Sequence, residues 1–344
     1  SAKKSSGRER PFDFEAYPHR QVAIKFAYLG WNYYGFASQT SFKKASGEEE
    51  ASPTPFLPTV EDSMFAALQK TKLIKDRYTC NYSRCGRTDA GVSAASQVIS
   101  LRVRASGIKM GQPGCEDLHD IRHYLNRVLP RDIQVTSVTP VPDDFNARFD
   151  CRYREYRYFF PRAAYDINLM QQAATLLLGT HDFRNFCKRD PSKIVENYER
   201  TILRSEIKPV NPDEPESAKR LYEYVIRGTA FLYHQVRCTM AILFLIGQRQ
   251  EPLELINHLL NPASERPRLQ MASEIPLILW DCAYEHALAS PAAADPKAKR
   301  VLWEMWREEA IKTCLLGALL GEPSSEDCLD RNVNQALLPK STSS

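Results

Sequence analysis

Long apolar runs are missing: nothing approaches the ~18 residues of a membrane-spanning helix, and the opening Ser1-Ala2-Lys3-Lys4-Ser5-Ser6-Gly7 carries no apolar leader core. A soluble chain is expected, with an expression scar among its first residues. Paired Cys-x-x-Cys spacing is missing too, and the nine cysteines are an odd number. Both facts argue against a disulfide framework and against a zinc site, and point to a reducing intracellular compartment. A dominant charge sign is the third absence. The 46 Lys and Arg against 42 Asp and Glu leave a net +4, so basicity has to be local to matter.

What is present is a chain of 344 residues, 43% hydrophobic, long enough for two domains or one large double domain. Local basicity appears in residues 148–162, where Arg148, Arg152, Arg154, Arg157 and Arg162 stand against Asp150 and Glu155. Tyr153, Tyr156, Tyr158, Phe159 and Phe160 are interleaved with them. Arginine alternating with aromatics on a strand suits phosphate contact plus base stacking. The competing reading is a solvated sheet face over a buried aromatic side.

Periodicity organises the rest. Val22, Ile24, Phe26 and Tyr28 alternate with Ala23, Lys25 and Ala27 as in a half-buried strand over 21–29. A loop rich in Lys, Glu, Ser and Pro follows over 43–58. Thr59-Val60-Glu61-Asp62 then opens a helix in capping-box style, with Val60, Met64, Ala67 and Leu68 as its buried stripe. A second helix is expected over 117–128, and Ile99, Leu101 and Val103 mark another strand. In the second half the pattern predicts strands over 153–160, 221–227 and 277–284. It also predicts helices over 168–178 and 231–246, the latter stopped at Gly247. The segment 291–296 is a linker, and Leu302, Trp303, Trp306, Ala310, Ile311 and Cys314 define an amphipathic helix capped by Gly321, expected to pack on the body. The tail after Asn334 is expected to be disordered. Two α+β units of similar size emerge, without a clear internal repeat.

The densest chemistry is Ser83-Arg84-Cys85-Gly86-Arg87-Thr88-Asp89-Ala90-Gly91-Val92, one carboxylate in a glycine-bounded turn just ahead of a strand. Gly86 and Gly91 can take positive φ or allow close backbone approach. Arg87 beside Asp89 favours an ionised acid able to attack an electrophile. A β-turn whose Asp satisfies its own backbone is the simpler reading. The loop lacks the Gly-Lys-Ser/Thr ending of a nucleotide P-loop.

Residues 86–92 resemble the catalytic-aspartate motif of the TruA-like family of tRNA pseudouridine synthases, and four further blocks continue the resemblance in order. They are Tyr28 to Gln39; Asn146 to Asp150 with Arg154 to Tyr158; Gly179 to Phe186; and Phe231 to Arg237. The similarity covers roughly residues 21–285. It implies an α+β fold in which two ferredoxin-like (RRM-like) halves, 19–150 and 151–290, share an extended antiparallel sheet with a central basic cleft. Residues 1–18 would be an N-terminal tail, 291–333 a linker and C-terminal helix, and 334–344 a disordered tail.

The same resemblance implies isomerisation of uridine to pseudouridine on a flipped-out base, with Asp89 as nucleophile on either C1′ or C6. Arg237 is implied to hold Asp89 as an ion pair; the competing reading pairs it with Glu223. Tyr156 is implied to stack on the uracil, with either Tyr156 or Tyr158 facing substrate and the other in the core. Leu277 is implied as an apolar wall, Arg87 as a residue filling the vacated base position or binding phosphate, and Arg154 and Arg157 as substrate contacts. His181 and His234 are candidate acid/base groups read as structural or RNA-contacting.

No metal or organic cofactor is implied. A tRNA substrate, no membrane, a homodimer, and the nucleus and cytoplasm as location are. Ser93 and the block Met271 to Leu277 depart from bacterial relatives and Ala90 from many eukaryotic ones, which carry Lys there; the Met271 to Leu277 block, with Arg10 to Phe14, Gly35 to Gln39 and Asn185 to Lys188, resembles the eukaryotic branch acting on uridines 38 and 39. The sibling branch of broader specificity and a catalytically silent tRNA-binding module are the alternatives.

Overall fold

The computed structural model describes residues 12–38, 58–114, 118, 120–189, 195–268, 270–285, 288, 296–321 and 323. The expected loop over 43–58 and the linker over 291–296 lie outside the described residues apart from Pro58 and Pro296, as do the tail over 334–344 and residues 1–11 of the tail over 1–18; residues 12–18 are described and hold a short 3-10 turn (Phe14–Ala16).

Alternating apolar residues produce the strands β1 (His19–Tyr28), β2 (Ser83–Arg84), β3 (Ser93–Arg104), β4 (Ile133–Pro140) and β5 (Cys151–Pro161). They continue with β6 (Gly179–Asp182), β7 (Glu199–Pro209), β8 (Leu221–Gly228) and β9 (Leu277–Tyr284). These nine described strands form one sheet in the order β4-β1-β3-β9-β5-β8-β7-β6, with β2 on β3. Every pairing is antiparallel except β3 with β9, which run parallel through Ser93–Ile278 and Ala94–Leu279. That parallel seam joins strands from the two ends of the sequence.

Helices cover the sheet where apolar stripes demand it: α1 (Val60–Lys70), α2 (Ile121–Val128), α3 (Ile167–Thr175), α4 (Gln235–Gly247) and α5 (Leu255–Leu260). Side-chain caps set three of their starts. Thr59 Oγ1 accepts from Asp62 N at 3.2 Å, Asp120 from His123 N at 3.1 Å and Asp166 from Leu169 N at 3.0 Å. Two apolar clusters result. One is built from β1, β3, α1 and α2 with Leu279 and Cys282 of β9, the other from β5, β7, β8, α3, α4 and α5. Tyr156 packs against both.

Several expectations change. The helix expected from Phe231 begins at Gln235, because His234 sits in the left-handed region (φ 61°) and Gln235 Oε1 turns back to accept from Leu232 N at 2.8 Å. Gly247 is not a left-handed cap; a Cβ there would lie 2.6 Å from Met170 Sδ, so the glycine lets α3 and α4 approach, and Arg249 takes positive φ instead. The C-terminal helix α6 (Pro296–Leu320) is capped by Gly321 (φ 63°) as read, but Leu302, Trp303, Trp306, Ile311 and Leu315 are exposed rather than packed on the body. β4, β6, β7 and α5 were not anticipated.

Candidate active site

Asp89 lies between β2 and β3, in a loop that the segment after β1 cradles. Phe36 N donates to Thr88 O at 3.1 Å, Gly91 N to Tyr33 O at 3.2 Å and Gly30 N to Ser93 Oγ at 3.0 Å. The hydroxyls of Tyr28 and Thr88 meet at 2.8 Å. Glycine is required twice in this contact. A Cβ on Gly30 would fall 2.1 Å from Val92 O, and Gly91 (φ 80°) would place one 2.6 Å from Glu274 Cγ. Gly86 has open space and no positive φ, so only one of the two glycines expected to shape the turn does so.

Three other segments meet this loop. His234, the N-cap of α4, brings Nε2 to 3.4 Å from Asp89 Oδ2. Arg237, one turn further on, places Nη1 at 3.9 Å from the same oxygen. Its shorter contacts lie elsewhere: Nη2 is 2.7 Å from Glu274 Oε2, and Nε donates to Ala272 O at 2.8 Å. The expected Asp89–Arg237 pair is therefore a longer contact, and Glu274 is the close partner. The Glu223 reading fails, since Glu223 pairs with Arg157 and Lys208 on another part of the sheet.

Burial pushes the Asp89 carboxyl up to about 6; Arg237 and Arg87 pull it down and Glu274 pushes it up, but desolvation outweighs the cations. The expectation that Arg87 keeps it an ordinary ionised acid is corrected accordingly. From β5, half-buried Tyr156 sets its ring edge-on to Phe231, centroids 5.2 Å apart at 89°. Burial raises its phenol well above the usual value, so it stays protonated at neutral pH. Tyr158, two residues on, is fully buried against Phe244 of α4. The core member of the pair is thus Tyr158.

The convergence of a carboxylate, an arginine and a tyrosine from three distant segments fits the sequence comparisons. The family model for tRNA pseudouridine synthase matches residues 173–285. A Methanosarcina mazei protein named tRNA pseudouridine synthase A is 30% identical over 82% of this chain and 94% of its own length. The chain belongs to the TruA-like tRNA pseudouridine synthase family. Similarity is greater to the tRNA pseudouridine(38/39) synthases of Mus musculus, 43% identical over 92% of this chain, and Saccharomyces cerevisiae, 41% over 86%. The chain spans 66% and 64% of the lengths of those two relatives.

Within this family frame the remaining candidates separate. Leu277 is buried at the start of β9, in register with Tyr158. Arg87 is exposed on the Asp89 loop. Arg154 spends its guanidinium on backbone carbonyls, Arg148 O at 2.7 Å, Thr229 O at 2.9 Å and Cys85 O at 3.0 Å, which ties β5 to the root of the loop.

Arg157 is not brought to the cluster. One residue after Tyr156, it projects from the opposite face of β5, bonded to Glu155 and Glu223 and lying 3.8 Å over the Trp280 ring. It lines there a cavity of about 390 Å³ with Lys25, Glu155, Arg204, Arg227 and Asp281. The arginine stripe is thus largely engaged within the protein: Arg152 meets Glu285 at 3.0 Å and Arg162 meets Glu216 at 3.2 Å. His181 sits on edge strand β6 and contacts Leu178 O at 2.8 Å, away from the site. Sequence reasoning missed Glu274 and undervalued His234. The first lay in a block read for its family branch and not for its carboxylate, and the second stood in a motif whose arginine drew the attention.

Proposed function

We propose that this chain isomerises uridine to pseudouridine in the anticodon stem-loop of tRNA, at positions 38 and 39. The observation that carries the reading is that the half-buried Asp89 carboxylate lies 3.9 Å from Arg237 and acts electrostatically on the Tyr156 phenol. The names of the mouse and yeast relatives supply the positions.

In the reaction the uracil N1–C1′ bond breaks, a C5–C1′ bond forms, C5 gives up a proton and N1 takes one up. The base has to leave the stack to reach a carboxylate held this deeply. Asp89 attacks C1′ or C6 once ionised. Arg237 fixes the carboxylate's direction as it moves from Glu274 to Asp89. Tyr156 stacks on the uracil against Phe231, and its phenol relays the C5 proton, passing its own proton to solvent as it takes that one. Leu277 walls the base, and Arg87 meets phosphate or the vacated base position. Arg154 acts by holding the loop rather than by touching RNA.

The architecture belongs to the same proposal: two ferredoxin-like halves, 19–150 and 151–290, with the cleft where β3 meets β9. The two apolar clusters sharing one sheet support this division. A homodimer, in which one subunit grips the tRNA body while the other modifies it, accords with the exposed apolar residues of α6. Light scattering should then report twice the 39.3 kDa chain mass.

Pseudouridine mapping in tRNAs from cells lacking and re-expressing the protein tests the function. Loss and recovery confined to positions 38 and 39 is the expected result, and unchanged tRNAs would refute it.

A further inference from the structure

Three cysteines converge beside the root of the Asp89 loop. Cys85 follows β2, Cys151 opens β5 and Cys282 lies in β9; all three are buried, and their Sγ atoms lie within 4.8 Å of one another. Cys85 and Cys151 stand 3.5 Å apart. The lack of Cys-x-x-Cys spacing bears only on ligands close in sequence, and these three come from segments far apart in the chain. The Arg154 guanidinium sits next to them, donating to Cys85 O at 3.0 Å and Cys151 O at 3.4 Å. The Tyr284 hydroxyl, close to Cys85, donates to Ala147 O at 2.7 Å.

Sulfurs around one zinc-like ion sit at about 2.3 Å from it, hence roughly 4 Å from one another, a spacing this trio brackets. Charge closes as well. Three thiolates, one divalent cation and the Arg154 guanidinium sum to zero, which removes the main obstacle to burying them together. Soft thiolates, with no carboxylate or imidazole grouped with them among the described residues, select thiophilic ions over magnesium or calcium.

We propose that Cys85, Cys151 and Cys282 form a binding site for one thiophilic divalent cation of the zinc or cadmium type. Binding exchanges the thiol protons for the ion, with no change of oxidation state. It pins the end of β2, the start of β5 and β9 to one another. Cys85 stands four residues before Asp89, so the site anchors the catalytic loop without joining the chemistry.

The test is a titration of the full chain, reduced with a phosphine and stripped of metal, with Cd²⁺, read by thiolate-to-cadmium charge-transfer absorption and by cadmium retained after gel filtration. The wild type should retain one ion per chain and melt at a higher temperature with it. Cys85→Ser and Cys282→Ala should each weaken uptake by about 10- to 100-fold or more, since even losing a residue that only supports a ligand costs that much. Cys282→Ala keeps the position apolar in case serine impairs folding. Cys314→Ser, exposed on α6, should leave uptake unchanged. Equal cadmium uptake by wild type and Cys85→Ser would overturn the proposal, as would a wild type that shows no charge-transfer absorption, whether its thiols stay protonated or two of them join as a disulfide.

Discussion

Arg237 is shared by two carboxylates, with Glu274 at 2.7 Å from one end of its guanidinium and Asp89 at 3.9 Å from the other. Glu274 therefore both occupies the cation that would steady Asp89 and adds negative charge beside it. Burial does the rest, and Asp89 titrates near 6 instead of in the usual carboxylate range.

Activity should accordingly fall as pH drops through about 6, because the attacking form of Asp89 is the ionised one. Glu274→Gln removes a charge that raises this titration and should move the acid limb to lower pH. Single-turnover rates between about pH 5 and about pH 8 read both effects. A limb that stays in place in Glu274→Gln would break the link between the two carboxylates. Arg237→Ala, losing the group that aims the carboxylate, should cost about 100-fold in rate.

Gly30→Ala should be far more damaging than Gly91→Ala. The first sets a methyl 2.1 Å from a backbone oxygen, Val92 O, which cannot step aside. The second meets the flexible Glu274 side chain, and its cost is mainly the positive φ, about 1 kcal/mol or somewhat more. Urea denaturation of the two variants decides the ranking, and equal midpoints would contradict it.

Arg87 and Arg154 should part company in salt. Arg87→Ala should weaken tRNA binding and flatten the salt dependence by about one phosphate contact. Arg154→Gln should leave the salt slope alone and lower stability, since the carbonyls of Cys85, Arg148 and Thr229 lose their donor. A reduced slope in Arg154→Gln would place that residue on the RNA instead.

Tyr156→Phe keeps the ring edge-on to Phe231, so melting temperature and tRNA affinity should hold while product formation slows. Unchanged single-turnover rates would limit Tyr156 to stacking.

The sequence was most legible where apolar residues alternate, although in β1 the other face is buried as well, with Gln21 and Ala23 inside. Val22, Ile24, Phe26 and Tyr28 alternate cleanly, and β1 forms where they do. α4 was misplaced at its start because Phe231 and Leu232 continue an apolar pattern that His234 interrupts by backbone conformation, which no periodicity reveals. Asp89, Tyr156 and Arg237 were found through the family motif. The sharing of Arg237 was not, because Glu274 and Ala272 reach it only when the segment before β9 folds under α4. Arg157 shows the opposite failure: one residue from Tyr156 in sequence, it stands on the other side of the sheet.

The central claim rests on one oxygen pair. Asp89→Asn, with deamidation excluded by mass spectrometry, should form no pseudouridine in a single-turnover assay yet bind tRNA within a few-fold of wild type. Because the folded protein raises this carboxyl above its unfolded value of 3.8, holding it ionised costs stability above about pH 6. The variant should thus be more stable than wild type at neutral pH, on the order of 2 kcal/mol, with the gain shrinking toward the unfolded value. An inactive, well-folded, RNA-binding Asp89→Asn is the predicted result; measurable turnover by it would contradict the account.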